Sequence, residues 1–306
     1  METASKNIVL NVNGEFIADP FAPSISAFDR SYLYGDSLYE VVRTYGGRFL
    51  YLEEHLVRLA KSADLCKMKL SKPLSFYAQE CEKSLNAFNT LNAPKLTEAY
   101  CRLVISRGTG KIGFGTENIL SGPTFAVIVQ PLNPPTPEQW EAGYRYGVVD
   151  RWRNEKRALD PAAKTGNYLN SLLAYLEATN DGYQDALLCD SAGFLTEGTT
   201  FNLFYVKRDI IVTPPFSSGI LDGITRRTVI QIARRMGLEV REVPFPKERL
   251  YDAAEIFMTS TIKEVAPVVE IDGRKIANGK PGKITRRLKN AFTEYSLARS
   301  EKEKKS

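Results

Sequence analysis

Four prolines crowd into the seven residues "PLNPPTP" at positions 131–137, and no other feature divides the chain so sharply. Stacked prolines favour an extended, unpaired segment, which makes this run a linker rather than part of a packed element. The chain is therefore expected to fold as a smaller N-terminal domain over 1–131, a linker over 132–137 and a larger C-terminal domain over 138–306. Its length of 306 residues suits two domains.

The two sides of the run carry different patterns. Before it, "NIVLNVNGEFI" alternates apolar and polar residues around Asn13-Gly14, a dipeptide suited to a tight hairpin, and "SLYEVVRTYGGRFLYL" repeats the arrangement around Gly46-Gly47. Leu56, Leu59, Ala60 and Ala63 then recur at helical spacing, and "KPLSFYAQECEKSLNAF" continues as a second helix. "AYCRLVISRG" and "TFAVIVQPL" are two strands joined by a glycine-bearing loop, so this half reads as α+β. After the prolines, a helix is expected over about 167–180. Its Leu169, Leu172, Leu173 and Leu176 form one stripe built to be buried. Short strands follow in "DALLCD", "FLTEG", "FNLFYV" and "IIVT". Next come a helix presenting Val229, Ile232, Ala233 and Met236 and stopping at Gly237, and then "EIFMTST" and "VAPVVEIDGRKI" as strands. The fold class is thus α/β (α+β) in two domains.

Charge and composition narrow the chemistry. A net charge of +5 and a terminal "RSEKEKKS" interleaved with glutamate read as a solvated tail and not as a nucleic-acid surface. His55 is the one histidine, and Cys66, Cys81, Cys101 and Cys189 are scattered, so no zinc ligand set is spelled out and any Ser-His-Asp mechanism would depend on His55 alone. With no membrane-length apolar run and no basic flank ahead of an apolar core, a cytoplasmic protein is expected, without metal, nucleic-acid or membrane partners.

Three features of the second half suggest a site. Lys164 follows the small residues of "DPAAK", where desolvation would lower its pKa and free a nucleophilic amine. Glu197, in "LTEGTTFNLF", lies between a turn and an apolar strand and would need a cationic partner. "SSGILDGITRRTVI" runs a glycine-bearing loop into a helix start, leaving free backbone N–H groups to hold an anion, to which Thr225 can add a hydroxyl. An amine, a buried carboxylate and an anion cradle are together what pyridoxal 5′-phosphate requires.

These motifs, with "YGDSLYEVVR", "HLVRL", "AAKTGNYLNSLLA", "ILDGITRRTV" and "EIFMTSTIKEVAPV", make the chain resemble the class IV, fold-type IV, pyridoxal-phosphate aminotransferases over residues 8–295. The resemblance implies two domains with the cofactor between them, a homodimer, and small amino-acid and keto-acid substrates. It also implies that Lys164 forms the internal aldimine and shuttles the proton between the substrate α-carbon and cofactor C4′. Glu197 would pair with the pyridinium nitrogen, and Arg58, Gly223, Ile224, Thr225 and Thr261 would hold the phosphate. Tyr168 would bond the ring's phenolic oxygen, and Leu221 would pack on the ring.

For the substrate, the resemblance points to Tyr34, Tyr39, Val41, Arg43, Tyr100, Arg102, Thr261 and Ile262. Tyr100 and Arg102 match the tyrosine-x-arginine pattern of the branched-chain enzymes, as does Tyr168, so the first expectation is transfer between a hydrophobic branched-chain L-amino acid and 2-oxoglutarate. Val41, where those enzymes usually carry glycine, and Ile262, where they carry alanine, resemble D-amino-acid transaminases. The loop "SRGTGKIGFGTEN" is similar to that of aminodeoxychorismate lyases and leaves Arg107, Lys111 and Arg30 as open candidates for a carboxylate contact. An (R)-amine transaminase and a binding protein on an old enzyme scaffold complete the alternatives.

Overall fold

A computed structural model describes residues 7–94 and 97–303. They form two compact units. One comprises residues up to Asn133 together with Ala163–Asn167 and the residues from Arg299 onward; the other comprises Pro134–Ala162 and Tyr168–Ala298. The division at 133/134 falls inside the proline run, while Pro137 begins a helix whose N-terminus is closed by a capping box between Thr136 and Gln139. Whereas the sequence boundaries counted 163–167 with the C-terminal domain, the contacts group this pentapeptide with the first unit.

The first unit holds β1 (Val9–Val12), β2 (Glu15–Ile17), α1 (Arg30–Tyr34), β3 (Ser37–Tyr45), β4 (Arg48–Phe49), α2 (Leu52–Leu65), α3 (Leu74–Asn92), β5 (Ala99–Ser106) and β6 (Phe125–Pro131). Its strands make an antiparallel sheet in the order β2-β1-β6-β5-β3-β4. Asn13 and Gly14 both take positive φ, 54° and 95°, as the two-residue hairpin requires. Side chains alternate across the sheet, so Leu38 and Val42 of β3, Cys101, Leu103 and Ile105 of β5, and Val127 and Val129 of β6 share one face. That face is sealed by Leu56, Leu59 and Ala63 of α2 and by Tyr77, Cys81, Leu85 and Phe88 of α3. The opposite face carries Tyr39, Val41 and Arg43 beside Tyr100 and Arg102, in the pairings Val41↔Arg102 and Arg43↔Tyr100.

The second unit holds α4 (Pro137–Ala142), β7 (Tyr144–Trp152), α5 (Leu169–Asn180), β8 (Asp185–Cys189), β9 (Leu195–Gly198), β10 (Asn202–Lys207), β11 (Ile210–Thr213), α6 (Ile224–Arg235), β12 (Val240–Glu242), α7 (Glu248–Tyr251), β13 (Glu255–Ser260), β14 (Glu264–Ile271) and β15 (Arg274–Lys275). The last helix, α8 (Lys283–Glu303), begins in it. Its sheet runs β12-β11-β10-β13-β14-β7-β8-β9, with β15 on β14, and mixes antiparallel pairs with the parallel pairs β11/β12, β14/β7 and β7/β8. Val229, Ile232 and Ala233 of α6 are buried on Phe204, Phe257 and Val265, and Gly237 follows the helix with φ 74°.

Helix α5 departs from its expected packing. Leu169, Leu172, Leu173 and Leu176 are 65, 49, 37 and 45% exposed, whereas Ala174 and Ala178 are buried against Ala186 and Leu188 of β8. Small residues let the helix approach the strand closely, so the alanine row and not the leucine row faces the sheet. The C-terminal tail differs as well. Residues 299–303 continue α8, and Arg299 pairs with Glu54, while 304–306 lie outside the described residues.

Candidate functional site

The pentapeptide Ala163–Asn167 pairs with the start of β3. Thr165 bridges Leu38, the Gly166 N–H donates to the Ser37 carbonyl at 2.8 Å, and the Tyr39 N–H donates to the Lys164 carbonyl at 3.1 Å. Gly166 leaves room for this approach, since a Cβ there would meet Ser37 Oγ at 2.2 Å. The Lys164 N–H donates to Ser62 Oγ at 3.0 Å. Its side chain ends with Nζ donating to the Tyr39 hydroxyl at 3.0 Å, 4.2 Å from the centroid of that ring, and the Arg102 guanidinium lies 4.0 Å from the same centroid. Lys164, Tyr39 and Arg102 are thus brought together within the first unit.

Arg58 is buried on α2 and pairs in a fork with Glu40, Nε to Oε1 at 2.8 Å and Nη2 to Oε2 at 2.7 Å. His55 Nδ1 lies 2.8 Å from Glu40 Oε2. Burial would raise the Glu40 carboxyl, but the charge and hydrogen bonds of Arg58, helped by His55, outweigh it and hold the group at about 2. Burial first, then the nearby charges of Arg58 and Lys164, keep His55 below its ordinary value despite its bond to Glu40. The single histidine is therefore a neutral donor to Glu40 at neutral pH. Reasoning from sequence missed Glu40, although a glutamate inside the apolar run "LYEVV" was a signal that it needed a buried partner.

The remaining residues of the first unit are placed elsewhere. The Tyr34 hydroxyl accepts the Gly113 N–H at 2.8 Å and its ring lies against Phe114, so it fastens the 107–115 loop. Two of the open carboxylate candidates, Arg30 and Arg107, both bind Asp36, at 3.0 and 2.7 Å. Against the opposing effect of burial, they hold the Asp36 carboxyl below its ordinary value.

In the second unit Glu197 is buried at the end of β9. Oε1 accepts Arg153 Nε at 3.1 Å and Nη2 at 3.0 Å, and Oε2 accepts the Asn202 amide at 3.2 Å and the Leu221 N–H at 3.0 Å. The Asn202 amide also donates to the Leu221 carbonyl at 3.0 Å, which ties the loop before α6 to the glutamate. Gly223 is obligatory at the start of α6, since a Cβ would meet Asn202 Oδ1 at 2.1 Å. No side chain caps this helix, so the first-turn N–H groups that include Ile224 and Thr225 remain available to an anion. The Thr259 hydroxyl, paired in register with Asn202, is buried and has no partner among the described residues. Thr261, Ile262 and Lys263 form the turn between β13 and β14, closed by Glu264 with φ 54°. Tyr168 is the N-cap of α5. Arg153 and Asn202 escaped the sequence reading because an arginine just after a strand and an asparagine beginning one have no pattern of their own.

Each unit by itself carries groups that suit part of a phosphorylated aldehyde: in the first an amine is held at a hydroxyl, and in the second a buried carboxylate is fixed by an arginine and two neutral donors and an uncapped helix start follows a glycine. Residues 37–271 match the sequence profile of amino-transferase class IV, and the chain belongs to that family. A Methanocaldococcus jannaschii protein, provisionally named a branched-chain-amino-acid aminotransferase, is 40% identical over 283 residues, covering 92% of this chain and 94% of that one. The D-alanine aminotransferase of Bacillus licheniformis is 32% identical over 274 residues, covering 90% of this chain and 92% of its own. Among solved structures, the Escherichia coli branched-chain amino acid aminotransferase superposes with a TM-score of 0.86 at 31% identity, covering 95% of each chain. The branched-chain amino acid aminotransferase of Thermobaculum terrenum, solved in its PLP-bound holo form, gives 0.83 at 27% identity, covering 95% of this chain and 94% of its own. Among the described residues no helix is long and apolar enough to cross a membrane, and no His, Cys, Asp and Glu group could hold a metal.

Proposed function

We propose that this aminotransferase uses pyridoxal 5′-phosphate to move an amino group between a branched-chain hydrophobic L-amino acid and 2-oxoglutarate. The observation that carries the reading is Lys164, whose amide is held by Ser62 and whose carbonyl and amine are both held by Tyr39, all within the first unit. When bound, the cofactor supplies the electron sink that lets a proton leave the substrate α-carbon. Lys164 Nζ would accept that proton and pass it on, and the adjacent Tyr39 hydroxyl, 3.0 Å away, would keep the amine aimed. Glu197, its carboxylate fixed by Arg153 and Asn202, would hold a proton on the ring nitrogen. Arg58, the Ile224 and Thr225 N–H groups after Gly223, and Thr261 would hold the phosphate. Tyr168 would bond the phenolic oxygen, and Leu221 would pack on the ring.

Tyr39, Val41, Arg43, Tyr100 and Arg102 share one sheet face, and this supports their role as a substrate surface with an apolar wall and a guanidinium for a second carboxylate. Tyr34, Thr261 and Ile262 complete the substrate set. The named activities of the branched-chain relatives support the L-amino-acid reading. Val41 and the similarity to a D-alanine aminotransferase favour a second reading, transamination of D-amino acids. We also infer a homodimer working in the cytoplasm. The exposed leucine face of α5 supports self-association, and four cysteines without disulfide pairing suit a reducing compartment.

The test is a single-turnover absorbance scan of the cofactor-loaded protein mixed separately with L-leucine and D-alanine. Loss of the visible band with L-leucine alone is the expected result. Loss with D-alanine alone would transfer the assignment to the second reading.

A further inference from the structure

The geometry points to Ser62 as a positioning residue that couples the reactive lysine to the phosphate-binding arginine, an inference resting on the roles proposed above for Lys164 and Arg58. Ser62 lies one turn after Arg58 on α2 and is 0% exposed. Its hydroxyl donates to the Arg58 carbonyl at 3.0 Å and accepts the Lys164 N–H at 3.0 Å. A serine within a helix commonly bonds back to the carbonyl four residues earlier. Here the same oxygen also reaches out of the helix, across 102 residues of sequence, to the amide of the lysine.

Both residues it joins are held from their other sides. Arg58 is forked onto Glu40, and the Lys164 carbonyl accepts the Tyr39 N–H. The chain Arg58 carbonyl, Ser62 hydroxyl, Lys164 amide therefore closes a frame between α2 and the start of β3. One end of that frame presents a guanidinium for a phosphate, and the other presents an amine for an aldehyde. A ligand gripped at both groups binds best when their separation is fixed beforehand, because the ordering cost is then met during folding rather than at binding. The Ser62 hydroxyl sets that separation. Packing alone would be satisfied by alanine, which lacks only the oxygen, so the role belongs to the hydroxyl and not to the volume.

The experiment compares Ser62→Ala, Ser62→Cys and Ser62→Thr in the full-length protein. Three quantities are read: the rate of pyridoxal 5′-phosphate release after dilution into a trap, the pH midpoint of the loaded protein's visible band, and the melting temperature of the cofactor-free protein. Loss of one hydrogen bond predicts release about tenfold faster for Ser62→Ala, with a displaced band midpoint, beside the modest fall in cofactor-free melting that an unpaired Lys164 N–H brings. Ser62→Cys keeps the volume with a weak donor and acceptor and should follow alanine, while Ser62→Thr should restore both readouts. Release and midpoint unchanged in Ser62→Ala would overturn the inference. Cofactor-free melting falling equally in all three variants would also overturn it, by assigning the serine to folding alone. Borohydride reduction of the loaded parent protein, followed by peptide mapping, separates the two layers. A label on another lysine would overturn the reading of Lys164 and this inference with it, whereas a label on Lys164 with unchanged release overturns the role of Ser62 only.

Discussion

Glu40 and Glu197 are both buried, and each receives an arginine through two nitrogens, yet their remaining partners differ in kind. Arg58 reaches both oxygens of Glu40, and His55 adds a bond to Oε2. Arg153 binds Glu197 through Oε1, and Oε2 takes the Asn202 amide and the Leu221 N–H. In the first case carboxylate and guanidinium are matched fork to fork, which makes Glu40 a holder of Arg58. In the second, the arginine meets one oxygen and neutral donors orient the other, which suits the ring-nitrogen role proposed for Glu197. The same residue type in the same burial is thus suited to two different jobs, according to whether its arginine spans both carboxylate oxygens or only one.

The sharpest way to break this comparison is to neutralise each glutamate without changing its shape. Glu197→Gln should slow the single-turnover reaction with amino acid by about 10³-fold, since an amide cannot hold the pyridinium proton. Glu40→Gln should leave that step within about tenfold of the parent, because its charge is matched inside the protein. Equal rates for Glu197→Gln and the parent would mean that another carboxylate does this work, and the distinction between the two glutamates would fall.

Stability should respond in the opposite order. Glu40→Gln strands a buried guanidinium and should cost about 3 kcal/mol or more in denaturant unfolding at neutral pH. The sign of the acid response follows from the direction of the shift. Glu40 is held at about 2 against an ordinary 4.5, so its contribution is complete above about pH 4.5 and is lost as the pH falls toward 2. The parent protein should therefore weaken across that window, and Glu40→Gln should flatten it. A variant with an unaltered acid limb would show that other carboxylates govern acid unfolding.

How much of this was legible in the sequence depended on the range of the interaction. The hairpin at Asn13-Gly14, the stripe of α6 and the alternation that puts Tyr39, Val41 and Arg43 on one face are local patterns, and they could be read directly. Lys164 and Glu197 stood out through their neighbours. Helix α5 misled because its leucines are the more hydrophobic row while its alanines fit the sheet, a matter of packing distance that hydrophobicity alone does not encode. Helix α8 went unread under its charge, although Ile284, Leu288 and Phe292 recur every four residues and are buried. The partners of the two glutamates were the least visible. Arg153 meets Glu197 across 44 residues and Arg58 meets Glu40 across 18, and no spacing rule connects them.

The smallest expected effect sharpens the comparison further by testing the neutral partner of Glu40. His55→Gln can still offer an N–H to Glu40 but does not titrate. In the parent, burial and the nearby Arg58 and Lys164 charges keep His55 below its ordinary 6.5. The unfolded chain therefore binds a proton that the folded chain refuses, and stability begins to fall as the pH drops below about 6.5. His55→Gln should change stability at pH 7 by only about 1 kcal/mol, the value of one hydrogen bond. Between pH 6.5 and 4.5, a window bounded by the ordinary values of His55 and Glu40, its unfolding free energy should be flatter than the parent's. Denaturant titrations at three pH values within that window measure the slope. Parallel slopes in parent and variant would mean that His55 is charged in the folded protein, and Glu40 would then be matched by two cations instead of one.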